Sequence, residues 1–106
     1  MNTTVDERSK AILIEFEREV EAFNERKERI PLTEAARNLM YALLLMRCEV
    51  GWLDNFQAHN HVLRNLSRLP QAELENARFE LQAYGFICFL MNGEETAIYQ
   101  LITFVD

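Results

Sequence analysis

The sequence predicts an all-α fold. One domain over 1–106 forms a small bundle of four to five helices, with long helices and a helical dimer interface. Three observations lead there. The 106 residues include only 3 Gly and 2 Pro, so breaks in regular structure are few. Apolar residues recur at steps of three and four through most of the chain. Apolar residues make up 49% and charged residues 26%, a globular rather than a disordered balance.

The first helix is expected from about Thr4 to Arg29, with Ile12, Phe16, Val20 and Phe23 on one stripe. Thr3 or Thr4 caps its start. Such a helix spans about 39 Å at 1.5 Å per residue, against a radius of gyration of about 13 Å for a domain of this size. It therefore reaches beyond its own core toward a second chain. Pro31 stops it, and Thr33 caps a second helix that begins at Glu34. In that helix Leu39, Met40, Leu43, Leu44, Leu45 and Met46 cover most of the circumference, so it is central or covered by a partner. Gly51 either kinks it, admits a close neighbour or ends it. A short helix capped near Asn60 follows, carrying Val62, Leu63, Leu66 and Leu69. Pro70 suits the first turn of the next one, whose stripe is Leu74, Ala77, Leu81, Tyr84, Cys88 and Met91, closed by Asn92-Gly93. Residues 94–105 are read as a last helix through Ala97, Ile98, Leu101, Ile102 and Val105. Asn-Gly between apolar runs is also the strongest short hairpin signal, and the β-branched residues favour strand, so that alternative stays open.

The 17 acidic and 11 basic side chains leave a formal charge of -6. That opposes phosphate backbones and anionic membranes, which need clustered Lys and Arg. The N-terminus meets charge before an apolar signal core could form, and no apolar run reaches a spanning length. A soluble, cytoplasmic protein is expected. Cys48 and Cys88 sit in apolar sequence surroundings and read as core thiols.

Catalytic signals are weak. His59-Asn60-His61 is the one imidazole pair; on a helix the two rings point to nearly opposite faces, in an extended loop both could reach one metal, and a catalytic zinc needs a third ligand. The carboxylates Glu15, Glu17, Glu19 and Glu21 read as a solvated face or as a docking surface for a basic partner. Ser9 and Ser67 lie in no nucleophile elbow. Gly51, Gly85 and Gly93 build no phosphate loop. No enzyme, cofactor or metal is expected.

Protein partners fit better. Large apolar side chains exceed what one small core absorbs, and aromatic residues are enriched at binding hot spots. Leu13, Phe16, Leu39, Tyr41, Leu44, Leu45, Trp52 and Phe56 are the candidate partner-binding residues. The acidity, the size and the segment ARNLMYALLLMRCEVGWLDNF (residues 36–56) resemble the small all-helical antiactivators of bacterial quorum sensing, the QslA-like proteins. The resemblance implies an inhibitor that sequesters a LuxR-type transcription factor by disrupting its dimer, and it carries no site residue across. The alternative is a structural adaptor, a chaperone, or a phage-type inhibitor or immunity protein acting as a homodimer. A homodimer when free is expected on either reading.

Overall fold

The computed structural model describes residues 7–102. It corrects the all-α expectation: four helices are joined by a three-stranded antiparallel sheet. The order is α1 (Glu7–Lys27), α2 (Glu34–Glu49), β1 (Phe56–His59), α3 (Asn60–Ser67), α4 (Gln71–Ala83), β2 (Ile87–Met91) and β3 (Thr96–Leu101). Thr3, Thr4 and Val105 lie outside the described residues.

The α2 start is as the sequence predicts. Thr33 is the N-cap, and its Oγ1 accepts the Ala36 N–H at 3.1 Å. The Thr33 N–H and hydroxyl in turn donate to the Glu80 carboxylate at 2.8 and 2.7 Å, which ties this cap to α4. The apolar circumference of α2 is explained by its position: α1, α3 and α4 all pack on it. Ala36, Leu39, Met40, Ala42, Leu43 and Leu44 are buried there. The short α3 begins at Asn60, and Pro70 is the N-cap of α4.

Two helices end by the same device. In α4 the Phe86 N–H reaches back to the Leu81 carbonyl at 2.9 Å and the Gly85 N–H to the Gln82 carbonyl at 3.0 Å. That is a Schellman cap, and Gly85 holds the left-handed φ of 82° that it requires. In α2 the Trp52 N–H reaches the Arg47 carbonyl at 2.8 Å and the Gly51 N–H the Cys48 carbonyl at 3.2 Å. Gly51 thus ends α2 rather than kinking it.

The Gly85 cap is what overturns the long fourth helix. The chain emerges from it extended, and residues 87–101 form a hairpin across the Asn92-Gly93 turn, with Phe89 opposite Tyr99. β3 then pairs with β1, Phe56 opposite Tyr99, so the sheet order is β1-β3-β2. Strand alternation sends Phe56, Ala58, Ile87, Ala97, Tyr99 and Leu101 inward and Cys88, Leu90, Ile98 and Gln100 outward. The stripe that placed Cys88 in a helical core therefore fails: its thiol is exposed, and only Cys48 is half-buried.

Five polar residues are buried among the described ones: Glu19, Arg47, Asn60, Ser67 and Arg78. Arg78 of α4 is 4% exposed. Its Nη1 donates to Asn60 Oδ1 and to the Tyr99 hydroxyl, both at 3.1 Å, and its guanidinium lies 5.0 Å from the Phe89 ring centroid. These partners are neutral, and Nε has none. They join α4, α3 and both hairpin strands. Burial pushes the Tyr99 hydroxyl above its ordinary value of 10.0, against the hydrogen bond and positive charge of Arg78.

The sign of the resulting pH dependence is set. Above about pH 10 the unfolded chain releases a proton that the folded one keeps, so stability from this group is complete below that pH and falls above it. Urea midpoints near pH 8 and near pH 11 are expected to fall further in the parent protein than in Tyr99→Phe. Equal falls would show that Tyr99 contributes nothing.

A candidate protein-binding face

α1 and α2 run antiparallel. Arg8 lies against Gly51 at one end, and Asn24 and Lys27 meet Tyr41 further along. Of α1, only Glu19 and Phe23 are buried, so most of its length is covered on one side alone. The Phe23 ring makes edge-to-face contacts with Tyr41 at 5.2 Å and Phe86 at 5.4 Å.

Positions 38, 41, 45 and 48 of α2 follow steps of three, four and three and form one outer stripe. It is the floor of a shallow groove. On one flank Leu13 of α1 meets Cys48 in a cleft of 240 Å³ that Ser9 and Ile12 complete. On the other, Leu66 of α3 faces Leu45 and Tyr41 across a second cleft of 240 Å³. Leu13 is 51% exposed, Leu45 45% and Leu66 46%, which is unusual for three neighbouring leucines on one groove. The Tyr41 hydroxyl accepts from Lys27 Nζ at 2.9 Å and donates to Asn24 Oδ1, which fixes the ring with one side turned to the groove.

Trp52 follows the cap of α2. Its φ is 64°, a left-handed conformation that a bulky side chain adopts at a cost of about 1–3 kcal/mol. The indole lies over the Arg47 guanidinium, 4.4 Å from its centroid, and meets the Phe16 ring edge-on at 6.5 Å. Arg47 is itself held: its Nε donates to the Leu53 carbonyl at 3.0 Å, and its Nη2 lies 3.4 Å from Asp54 Oδ1. The half-buried Trp52 is thus clamped in one orientation. Glu17 and Glu21 are exposed beside Phe16 and Val20, an acidic margin to the apolar surface.

The predicted partner-binding residues divide accordingly. Leu13 and Leu45 are exposed on the groove and Tyr41 is half-buried along it, whereas Phe16 and Trp52 are half-buried against one another. Leu39, Leu44 and Phe56 are core residues instead: the first two face inward from the central helix, and Phe56 stacks on Tyr99 at 6.0 Å. Helical phase within so apolar a segment does not separate inward from outward positions. Sequence reading missed Leu66, because its place beside Leu45 depends on how α3 crosses α2.

His59 and His61 flank Asn60. The turn from β1 into α3 brings the two exposed rings to 5.5 Å between centroids, while Asn60 between them is buried on Arg78. Among the described residues no group of three or more His, Cys, Asp or Glu is placed to hold an ion. No helix among them is long and apolar enough to cross a membrane. Comparison with protein-family models, with curated proteins and with solved structures returns no match.

Proposed function

We propose that this is a binding module that inhibits a regulatory protein in the cytoplasm by covering part of its surface. The observation that carries this reading is the groove: the exposed Leu13, Leu45 and Leu66 beside the half-buried Tyr41 and Cys48. The Tyr41 ring, held by Lys27 and Asn24, binds with little loss of side-chain entropy, because its position is set beforehand. The acidic margin and the net charge of -6 favour a partner with basic residues around an apolar ridge. A bacterial transcription factor that loses its dimer surface to the groove fits that chemistry, and is the target that the antiactivator resemblance implies. The sheet removes the all-helical part of that resemblance; the argument for a protein partner rests on the groove alone.

The test is capture from native extract, followed by sizing of the target with and without this protein. Leu13→Asp combined with Leu45→Asp is expected to weaken binding by about 100-fold or more, two central apolar contacts each being replaced by a charge. Circular dichroism should stay unchanged, since both positions are solvent-facing. The target should elute as a smaller species when bound. Undiminished capture by the double variant would remove the groove as the binding site, and a target that remains oligomeric in the complex would favour an adaptor.

A further inference from the structure

A second surface uses other elements. Among the described residues the sheet ends on one side at β2, and no Asp, Glu, Lys or Arg occurs between Glu80 and Glu94, the longest such stretch in a chain of net charge -6. Soluble proteins commonly blunt an edge strand with a charge, a proline or a bulge. The strand Ile87–Met91, ICFLM, has no charged residue and no proline.

Its outward-facing backbone groups can be located. The Phe86 carbonyl accepts the Ile102 N–H at 2.9 Å, so residue 86 faces β3. Antiparallel alternation then turns 88 and 90 toward β3 and 87, 89 and 91 outward. The Phe89 N–H indeed points away from β3, to Gln82 Oε1 at 3.1 Å. Apolar side chains frame this edge. Phe79 is 60% exposed, with its ring 5.4 Å from that of Phe89, and Leu90, opposite Ile98 in the ladder, is 67% exposed.

We propose that the β2 edge pairs antiparallel with β2 of a second copy of this chain, joining two three-stranded sheets into one of six. A second copy is the fitting occupant because the strand is self-complementary. Antiparallel pairing centred on Phe89 sets Phe89 against Phe89 and Ile87 against Met91, so all three outward backbone units find counterparts at once. Cys88 then lies opposite Leu90, and no like charges are brought together in the paired strands, which a chain this acidic needs of a self-interface. Gln82 is a placeholder: its amide oxygen occupies the N–H that the partner strand's carbonyl takes on pairing.

The experiment is sedimentation equilibrium of the full chain over a concentration series. The parent protein is expected to approach twice 12.5 kDa. Met91→Pro removes an outward N–H without removing a ladder bond, and should leave a monomer with unchanged helix content. If that variant fails to fold, Leu90→Lys, at a solvent-facing position, should also weaken the dimer. Gln82→Ala should strengthen it by about fivefold or more, two placeholder hydrogen bonds of ordinary net strength having been removed per dimer. A parent protein that is monomeric throughout overturns the proposal. So does a dimer that survives both edge variants, or one that Gln82→Ala weakens. A dimer lost on Leu13→Asp and Leu45→Asp but kept in the β2 variants would place self-association in the groove instead.

Discussion

Arg78→Ala is expected to lower the unfolding free energy by about 2–4 kcal/mol. Two acceptors, Asn60 Oδ1 and the Tyr99 hydroxyl, lose their 3.1 Å donor inside the protein. A buried acceptor left without a partner costs about 1–3 kcal/mol. The truncated side chain also leaves a void beneath Phe89, whose ring the guanidinium covers at 5.0 Å. An opposing effect reduces the loss. The cation is held by neutral partners and one N–H is unpaired, so removing it relieves a desolvation cost. Arg78→Met separates these contributions. It keeps most of the volume and removes the charge, and should lose roughly half as much as Ala. Adding Tyr99→Phe to Arg78→Met should then cost less than Tyr99→Phe costs alone, because the hydroxyl no longer has a donor to lose. Urea unfolding of the parent and these four variants measures all of this. If Arg78→Ala proves neutral, the α3–α4–hairpin junction is held by apolar packing alone.

Phe23→Ala is expected to be as damaging, at about 3–5 kcal/mol, with a different signature. In α1 the buried residues are Glu19 and Phe23, and the Phe23 ring alone carries the edge-to-face contacts with Tyr41 and Phe86. Its loss should release α1 before the rest. Hydrogen exchange should show the α1 amides losing protection at low denaturant while α2, α4 and the sheet retain theirs. Partner binding should fall as well, since Leu13 and Phe16 stand on α1. Uniform loss of protection across all elements would mean that α1 unfolds only together with the core. Stabilities of small domains are about 5–15 kcal/mol, so either substitution removes a large share of the total.

Much of the helical framework is legible in the residues. Thr33 before Glu34 gives a cap with a hydroxyl to accept the Ala36 N–H, and Pro70 has the fixed φ that opens α4. The four-by-three spacing of Ile12, Phe16, Val20 and Phe23 describes α1 correctly, although burial concentrates at its far end. The carboxyl-terminal third is where the reading fails. From Phe86 to Met91 every residue is apolar, and a continuous apolar run satisfies helical and strand periods alike. Two local signals could have decided it. Gly85 offers a left-handed C-cap, and Asn92-Gly93 marks a hairpin turn. Treating Asn92-Gly93 as the end of the helix left Gly85 without a role. β1 has still less signal: four residues, FQAH, whose strand character comes from Tyr99 and Ala97 across the ladder.

The candidate groove was legible in part. Leu13, Leu45 and Tyr41 line it, Phe16 and Trp52 pack on one another, and Leu39, Leu44 and Phe56 are core. Composition and periodicity by themselves determined that the chain is acidic and globular, that long helices occupy its first half, and where two of the four helices begin. They also determined an excess of large apolar side chains. Only the tertiary structure decided which of those are covered. A residue's exposure depends on the elements packed across from it, and α2 is apolar nearly all round. Its inner and outer sides differ only because α4 covers the one, while α1 and α3 leave a gap over the other. The same holds for the sheet: the ICFLM run can be a buried helix, a central strand or an edge. It is an edge because β3 pairs with β1 on its far side, a choice made by contacts more than thirty residues apart in sequence.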